Sequence, residues 1–204
     1  MGIIGSLLAS AVVATSSATP LPWFTVDDYP TKAFQREWQG VTSFEVIVAP
    51  DGRAADCKVT KSSGYDMLDR QACFVAMKRA KFMPAAGAGG QPAYGVYRSQ
   101  VAWARPDRNR NSLQRDLGPD LEISVNQLPA GTTGPVGVNL AYFVDVQGNP
   151  SACTPMNGSN AQPGPVVDVA CKALFQQLQR EPVIAHGAAV AAVRTAAVKV
   201  TAAK

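Results

Sequence analysis

With 204 residues, 47% of them hydrophobic and 17% charged, the chain is long enough for one domain or two small ones, and too lightly charged for disorder over most of its length. The net charge of +4 is only mildly basic, and part of it sits in a single run, RPDRNRNSLQR, which reads as a solvated linker. No RNA-binding aromatic motif or zinc spacing accompanies that run, which argues against a nucleic-acid partner.

The first eighteen residues, MGIIGSLLASAVVATSSA, carry no charge and hold an apolar stretch from Ile3 to Ala14 followed by small residues. They read as an export signal with cleavage after Ala14 or Ala18, or as a weak N-terminal anchor, being too short and too rich in Gly and Ser for a spanning helix. LPWFTVDDYPTKA is an irregular lead-in, with Pro30 disfavouring helix at Tyr29, and a short helix over Thr31 to Trp38 follows. Thr42 to Ala49 alternates as a strand, Pro50-Asp51-Gly52 is a hairpin turn, and Ala54 to Thr60 returns, with Ala55, Cys57 and Val59 on one face. Ser62-Ser63-Gly64 breaks the strand. Asp66 is placed as the N-cap of a helix reaching Lys81, with Asp69 in its first turn complementing the dipole. Leu68, Ala72, Cys73, Ala76, Met77 and Ala80 share one arc of that helix. Phe82 and Pro84 end it, GAGG turns, and Ala93 to Ala104 is a third strand. The predicted first core is Leu68, Ala72, Ala76 and Met77 against Val46, Val48, Cys57 and Val59.

The same grammar recurs from Val136 to about Val200. Gly52 to Cys57 is the same step as Gly148 to Cys153, and Cys73 to Pro84 the same as Cys171 to Pro182. SNAQPGP replaces the Ser-Ser-Gly break. The Ala-rich closing segment AAVAAVRTAAVKVTA fits helix or strand taken alone, and is assigned as strand by analogy with the first copy. The expected fold class is α+β, with two tandem ββαβ units, each a small antiparallel sheet under one helix. The expected boundaries are 1–18 (signal or anchor), 28–104 (first domain), 105–120 (linker) and 121–204 (second, degenerate domain).

The four cysteines contain no CxxC pair, which disfavours a metal or redox role. The in-phase repeats put each pair on a strand and the helix covering it, predicting Cys57–Cys73 and Cys153–Cys171 bridges of the kind that persist in oxidising compartments. The one histidine, His186, falls in a Gly/Ala-rich turn, and no hydrolase, zincin, P-loop or dinucleotide motif occurs. No catalytic residue, metal, cofactor or small-molecule substrate is predicted.

The run YPTKA, then QGVTSFEVIVAPDGRAADCKVTKSSGYDMLDRQACFVAMKRAKFMPA, resembles the C-terminal domain of the TonB family of energy transducers. Tyr29-Pro30, Gly40-Val41, Asp51-Gly52, Ser63-Gly64, Leu68-Asp69 and Phe82-x-Pro84 match its pattern in order over about residues 28 to 104. The second copy keeps the architecture and the cysteines. The resemblance implies a periplasmic module that captures the N-terminal peptide of an outer-membrane transporter by strand addition, with inner-membrane motor proteins as further partners. Family transducers begin with a basic-flanked anchor and a long Pro-rich spacer, whereas here a weakly apolar start leads into Tyr29 after a short lead-in. The expected peptide edge is the third strand, about Gly95 to Ala102, through Val96, Tyr97, Arg98, Ser99, Gln100 and Val101, with Tyr29 and Pro30 positioning the partner. The alternative is a structural or adaptor protein whose two copies pair with each other or with another envelope protein.

Overall fold

A computed structural model describes residues 14, 16–17, 23–87, 89–105, 118–128, 134–156, 164–177 and 181–203. In chain order the strands are β1 (Ser16–Ser17), β2 (Gly40–Val48), β3 (Ala54–Lys61), β4 (Phe82–Met83), β5 (Ala85–Ala86), β6 (Pro92–Trp103), β7 (Leu121–Val125), β8 (Val136–Val144), β9 (Pro150–Pro155), β10 (Val183–Ala185), β11 (Ala188–Val190) and β12 (Ala192–Ala202). The helices are α1 (Thr31–Gln35), α2 (Asp66–Arg79) and α3 (Gly164–Gln177). Most of the apolar N-terminal stretch and of the basic linker lies outside the described residues; Ser16 and Ser17 pair with Met83 and Phe82.

Each half begins with a hairpin built by the same hydrogen bonds. Ala49 N–H donates to Arg53 and Gly52 N–H to Ala49; Asp145 N–H donates to Asn149 and Gly148 N–H to Asp145. Both turns need glycine twice over. Gly52 and Gly148 have φ of 79° and 85°, and a Cβ there would sit 2.4 Å from the Phe82 carbonyl oxygen or 2.8 Å from the Glu181 carbonyl carbon. The segment leaving each helix thus lies directly on the turn of its own half.

The sequence predicts two separate antiparallel sheets, and the structure corrects this: eight strands form one mixed sheet, ordered β3-β2-β6-β12-β8-β9, with β5 beside β6 and β7 beside β12. The join is a short parallel pairing of β6 with β12, at Tyr94↔Ala192 and Gly95↔Val193. The order is mirrored about this join. α2 packs on the face carrying Phe44, Val46, Val48, Val101 and Trp103. The opposite face carries Val96, continues onto β12 through Ala192, and lies under α3 at Ala196, Val198 and Val200. Parallel central strands, mirrored order and helices on opposite faces approximate a two-fold axis along the strand direction. The two halves also clasp reciprocally: Ala85 of the first packs on Ala141 and Val193, and Val183 of the second packs on Val96 and Ile47.

Several local expectations are revised. α2 ends at Arg79 rather than Lys81, and its N-cap is Tyr65, with Asp66 the first helical residue. Met77 is 39% exposed and Val75 takes the inward place at 1%, because the Ala/Met/Val mixture gives α2 no single apolar stripe. Leu68, Ala72, Ala76, Val46 and Val48 are fully buried, Cys57 packs on the same cluster, and Val59 is half-buried. A register shift near Ile47 and Val48 makes Ala55 an extra residue between Ala54 (opposite Val48) and Asp56 (opposite Ile47), so the simple alternation predicted from Ala55 to Val59 is interrupted at Ala55, which is buried. The Ala-rich closing segment is strand throughout β11 and β12. Cys57–Cys73 and Cys153–Cys171 are disulfides with Cα separations of 5.5 and 6.0 Å.

Candidate functional site

The motif residues of the first half build its interior. Trp103 Nε1 donates to Thr42 Oγ1 (3.0 Å), and Thr42 Oγ1 donates to Asp69 Oδ1 (2.8 Å). The same Oδ1 also accepts the Ser63 N–H (2.9 Å), and the other carboxylate oxygen, Oδ2, accepts the Ser62 hydroxyl. Gly40 completes the assembly, since a Cβ there would meet the Ser63 carbonyl oxygen at 2.4 Å. Asp69, read from sequence as a helix-dipole charge, is thus the hub of a buried network that ties β2, β6 and the Ser-Ser-Gly corner together.

Burial opposes ionisation of Asp69, but the hydrogen bonds from Ser62, Ser63 and Thr42 outweigh it and hold the carboxyl below its ordinary value. Asp28 is held down in the same way: burial opposes, while Thr25 and Arg79, at 2.6 Å, prevail. Both groups have folded-state values below their unfolded ones. Their stabilisation is therefore present above the unfolded value of about 4 and is lost as pH falls through the folded value. Urea midpoints of the full chain are expected to drop between pH 5 and pH 2, and Asp69→Asn to shrink that drop. Identical acid slopes for wild type and Asp69→Asn overturn the assignment.

Tyr29 and Pro30 stand at the far end of β6. The Tyr29 hydroxyl donates to the Trp38 carbonyl, and its ring packs edge-on to Phe34 and Trp103, at 5.9 Å each. Pro30 caps α1. The pair therefore supports the α2 face near Trp103, one end of the predicted edge. The remaining predicted residues alternate along β6. Tyr97 and Val101 pack into the α2-side core, and burial raises the Tyr97 phenol above its ordinary value. Ser99, opposite Phe44, shares their face. Val96, Arg98 and Gln100 belong to the other face, where Val96 is buried and Arg98 is more exposed.

β6 is paired with β2 over Gly95–Trp103. On its outer side it pairs with β5 at Pro92 and Ala93 and with β12 at Tyr94 and Gly95; beyond Gly95 none of the described strands pairs with it there. Where β6 and β12 part, a cleft of about 310 Å³ opens, lined by Glu45, Val96, Arg98, Asp120, Tyr142 and Arg194 among others. Its charges are mutually satisfied. Arg98 bonds Asp120 and lies 3.8 Å from Glu45, whose other oxygen receives Arg194 at 3.3 Å. Asp120 also accepts the Ala197 N–H at 2.8 Å, so one carboxylate bridges the two diverging strands. Sequence reasoning had assigned Asp120 to the linker and had no signal for its role, because both its partners are remote in sequence. His186 occupies the exposed β10–β11 turn with φ of 51°, with Gly187 beside it at 80°. Among the described residues no helix is long and apolar enough to cross a membrane.

Residues 26–103 match the family profile described as Gram-negative bacterial TonB protein C-terminal. Over 58 residues the chain is 41% identical to Protein tonB2 of Pseudomonas aeruginosa, an alignment covering 28% of this chain and 21% of that protein. The chain thus spans about a fifth of the length of this relative. No solved structure matches the chain significantly.

Proposed function

Residues 26–103 are a TonB C-terminal domain, and on that premise we propose that the chain is a periplasmic TonB-like protein that binds the N-terminal peptide of an outer-membrane transporter by β-strand addition, in support of energy-dependent transport. The acceptor is the outer edge of β6 beyond Gly95. The observation that carries this reading is that β6 separates from β12 after two residue pairs, leaving on the side away from β2 a stretch of extended backbone with no strand beside it among the described residues. Such an edge is a template for an incoming strand. Main-chain bonds would supply affinity, and the alternating side chains Val96, Arg98 and Gln100 on one face, Tyr97, Ser99 and Val101 on the other, would supply selectivity. An exported location agrees with the apolar N-terminal stretch and with two disulfides; whether that stretch is cleaved or retained as an inner-membrane anchor decides between a soluble binder and a motor-coupled transducer. On this reading residues 121–204 are a second, diverged copy of the ββαβ unit, and the protein works by binding rather than catalysis.

A structural or adaptor role has its own support, since the edge is already taken by the second half at Tyr94 and Gly95. Proline substitution separates the two. Ser99 and Gln100 are adjacent, so their N–H groups point to opposite sides of β6. One proline breaks the β2 ladder and destabilises the chain. The other leaves the fold intact and is expected to weaken binding of transporter N-terminal peptides at least tenfold. Absence of binding by the wild-type full chain overturns the transporter reading and leaves the adaptor role.

A further inference from the structure

β12 holds in the second half the place that β6 holds in the first, and its outer edge is not open. The short strand β7 lies along it in parallel, pairing Leu121 to Val125 with Val198 to Ala202 residue by residue. The contacts are those of a bound peptide. Ile123 is 8% exposed and joins the second core with Val136, Val198 and Val200, while Leu121 and Val125 pack on the same cluster. On the outward face Glu122 meets Lys199 at 3.2 Å and Ser124 meets Thr201 at 3.1 Å. The ends are fastened by main chain: Asp120 N–H donates to the Ala197 carbonyl (2.7 Å), and Ala203 N–H to the Val125 carbonyl (2.8 Å). Asp120 adds its carboxylate to the Ala197 N–H and to Arg98.

We propose that the outer edge of β12 is a second acceptor for an extended peptide, and that Leu121–Val125 is its resident, displaceable occupant. The resident specifies the ligand class: an extended segment, parallel to β12, with an acidic residue followed by apolar residues at alternate positions and a second acid facing Lys199. Retention is light. Among the described strands β7 pairs with β12 alone, through five residues and one fully inserted side chain, whereas β8 holds the other side of β12 through nine pairs. Elements attached in this way open locally, at less cost than global unfolding. The proposal extends the strand-addition reading to the second half, and it is tested with the chain's own segment, so its failure leaves the β6 reading standing.

The probe is a fluorescent synthetic peptide with the sequence of residues 119–127, PDLEISVNQ, titrated against the oxidised full chain and its Ile123→Ser variant. A resident that fills the edge weakens apparent affinity by the fraction of molecules in which the edge is open. The variant is expected to bind the peptide at least tenfold more tightly than wild type, and neither to bind a peptide carrying Asp in place of the central Ile. In wild type, native-state hydrogen exchange is expected to show β7 amides opening well before those shared by β8 and β12. A folded variant that gains no affinity overturns the proposal. So does loss of the folded second half on Ile123→Ser, or β7 amides that exchange only with global unfolding, because a displaceable occupant is not needed for the fold.

Discussion

Ala76→Asp is expected to unfold the first half of the molecule, while Met77→Asp, one residue on, leaves it standing. Ala76 is completely buried between α2 and the sheet, so its replacement puts a carboxyl into a site with no space and no partner. The cost is on the order of 4 kcal/mol or more, a large share of the 5–15 kcal/mol that stabilises a typical domain. Met77 is 39% exposed, and its substitution is expected to change stability by about 0.5 kcal/mol or less. Because β6 joins β12, the loss of the first half should also expose the parallel pairing at Ala192 and Val193. Thermal unfolding followed by near-ultraviolet circular dichroism reads both effects. Equal thermal midpoints for the two variants overturn the helix phase described above.

Replacing Cys57 and Cys73 together by Ala is expected to cost about 3 kcal/mol, chiefly because the unfolded chain regains the freedom of a loop closed across 16 residues. The Cys153–Cys171 bridge closes 18 residues and should behave alike. In urea the double variant should unfold at a lower midpoint. Non-reducing peptide mapping of exported protein is expected to recover these two bridges. A cross-pairing between halves, or a midpoint unmoved by removal of Cys57 and Cys73, contradicts the strand-to-helix stapling of each half.

Asp69 shows where sequence reasoning stops. Its place three residues into α2 suggests a dipole charge, a local property of any helix N-terminus. Its burial depends on Thr42 meeting it from β2, with Trp103 of β6 bonded to Thr42 behind, and neither bond leaves a mark in the sequence around Asp69. The same holds for Arg98. Its place on the predicted peptide edge suggests a peptide selector, yet its guanidinium is engaged by Glu45 and Asp120. A peptide that uses Arg98 must compete with the carboxylate that fastens the start of β7.

The sequence by itself determined the order of strand, turn and helix in each half, and which cysteines lie within reach of one another. Alternation, turn glycines and helical spacing are set by neighbours a few residues apart, and each cysteine pair is brought together by such local steps. The sequence also carried the TonB C-terminal pattern, since Gly40, Gly52, Ser63 and Asp69 are demanded by tight backbone approaches and buried hydrogen bonds within one unit. Only the tertiary structure decided that the two halves share one sheet, that their helices cover opposite faces, and that Leu121–Val125, ahead of the ββαβ unit expected from Val136, forms a strand against β12. These outcomes rest on which open edge meets which across many residues of chain. An extended strand offers the same backbone donors and acceptors to any partner, so that choice is made by packing and not by local sequence.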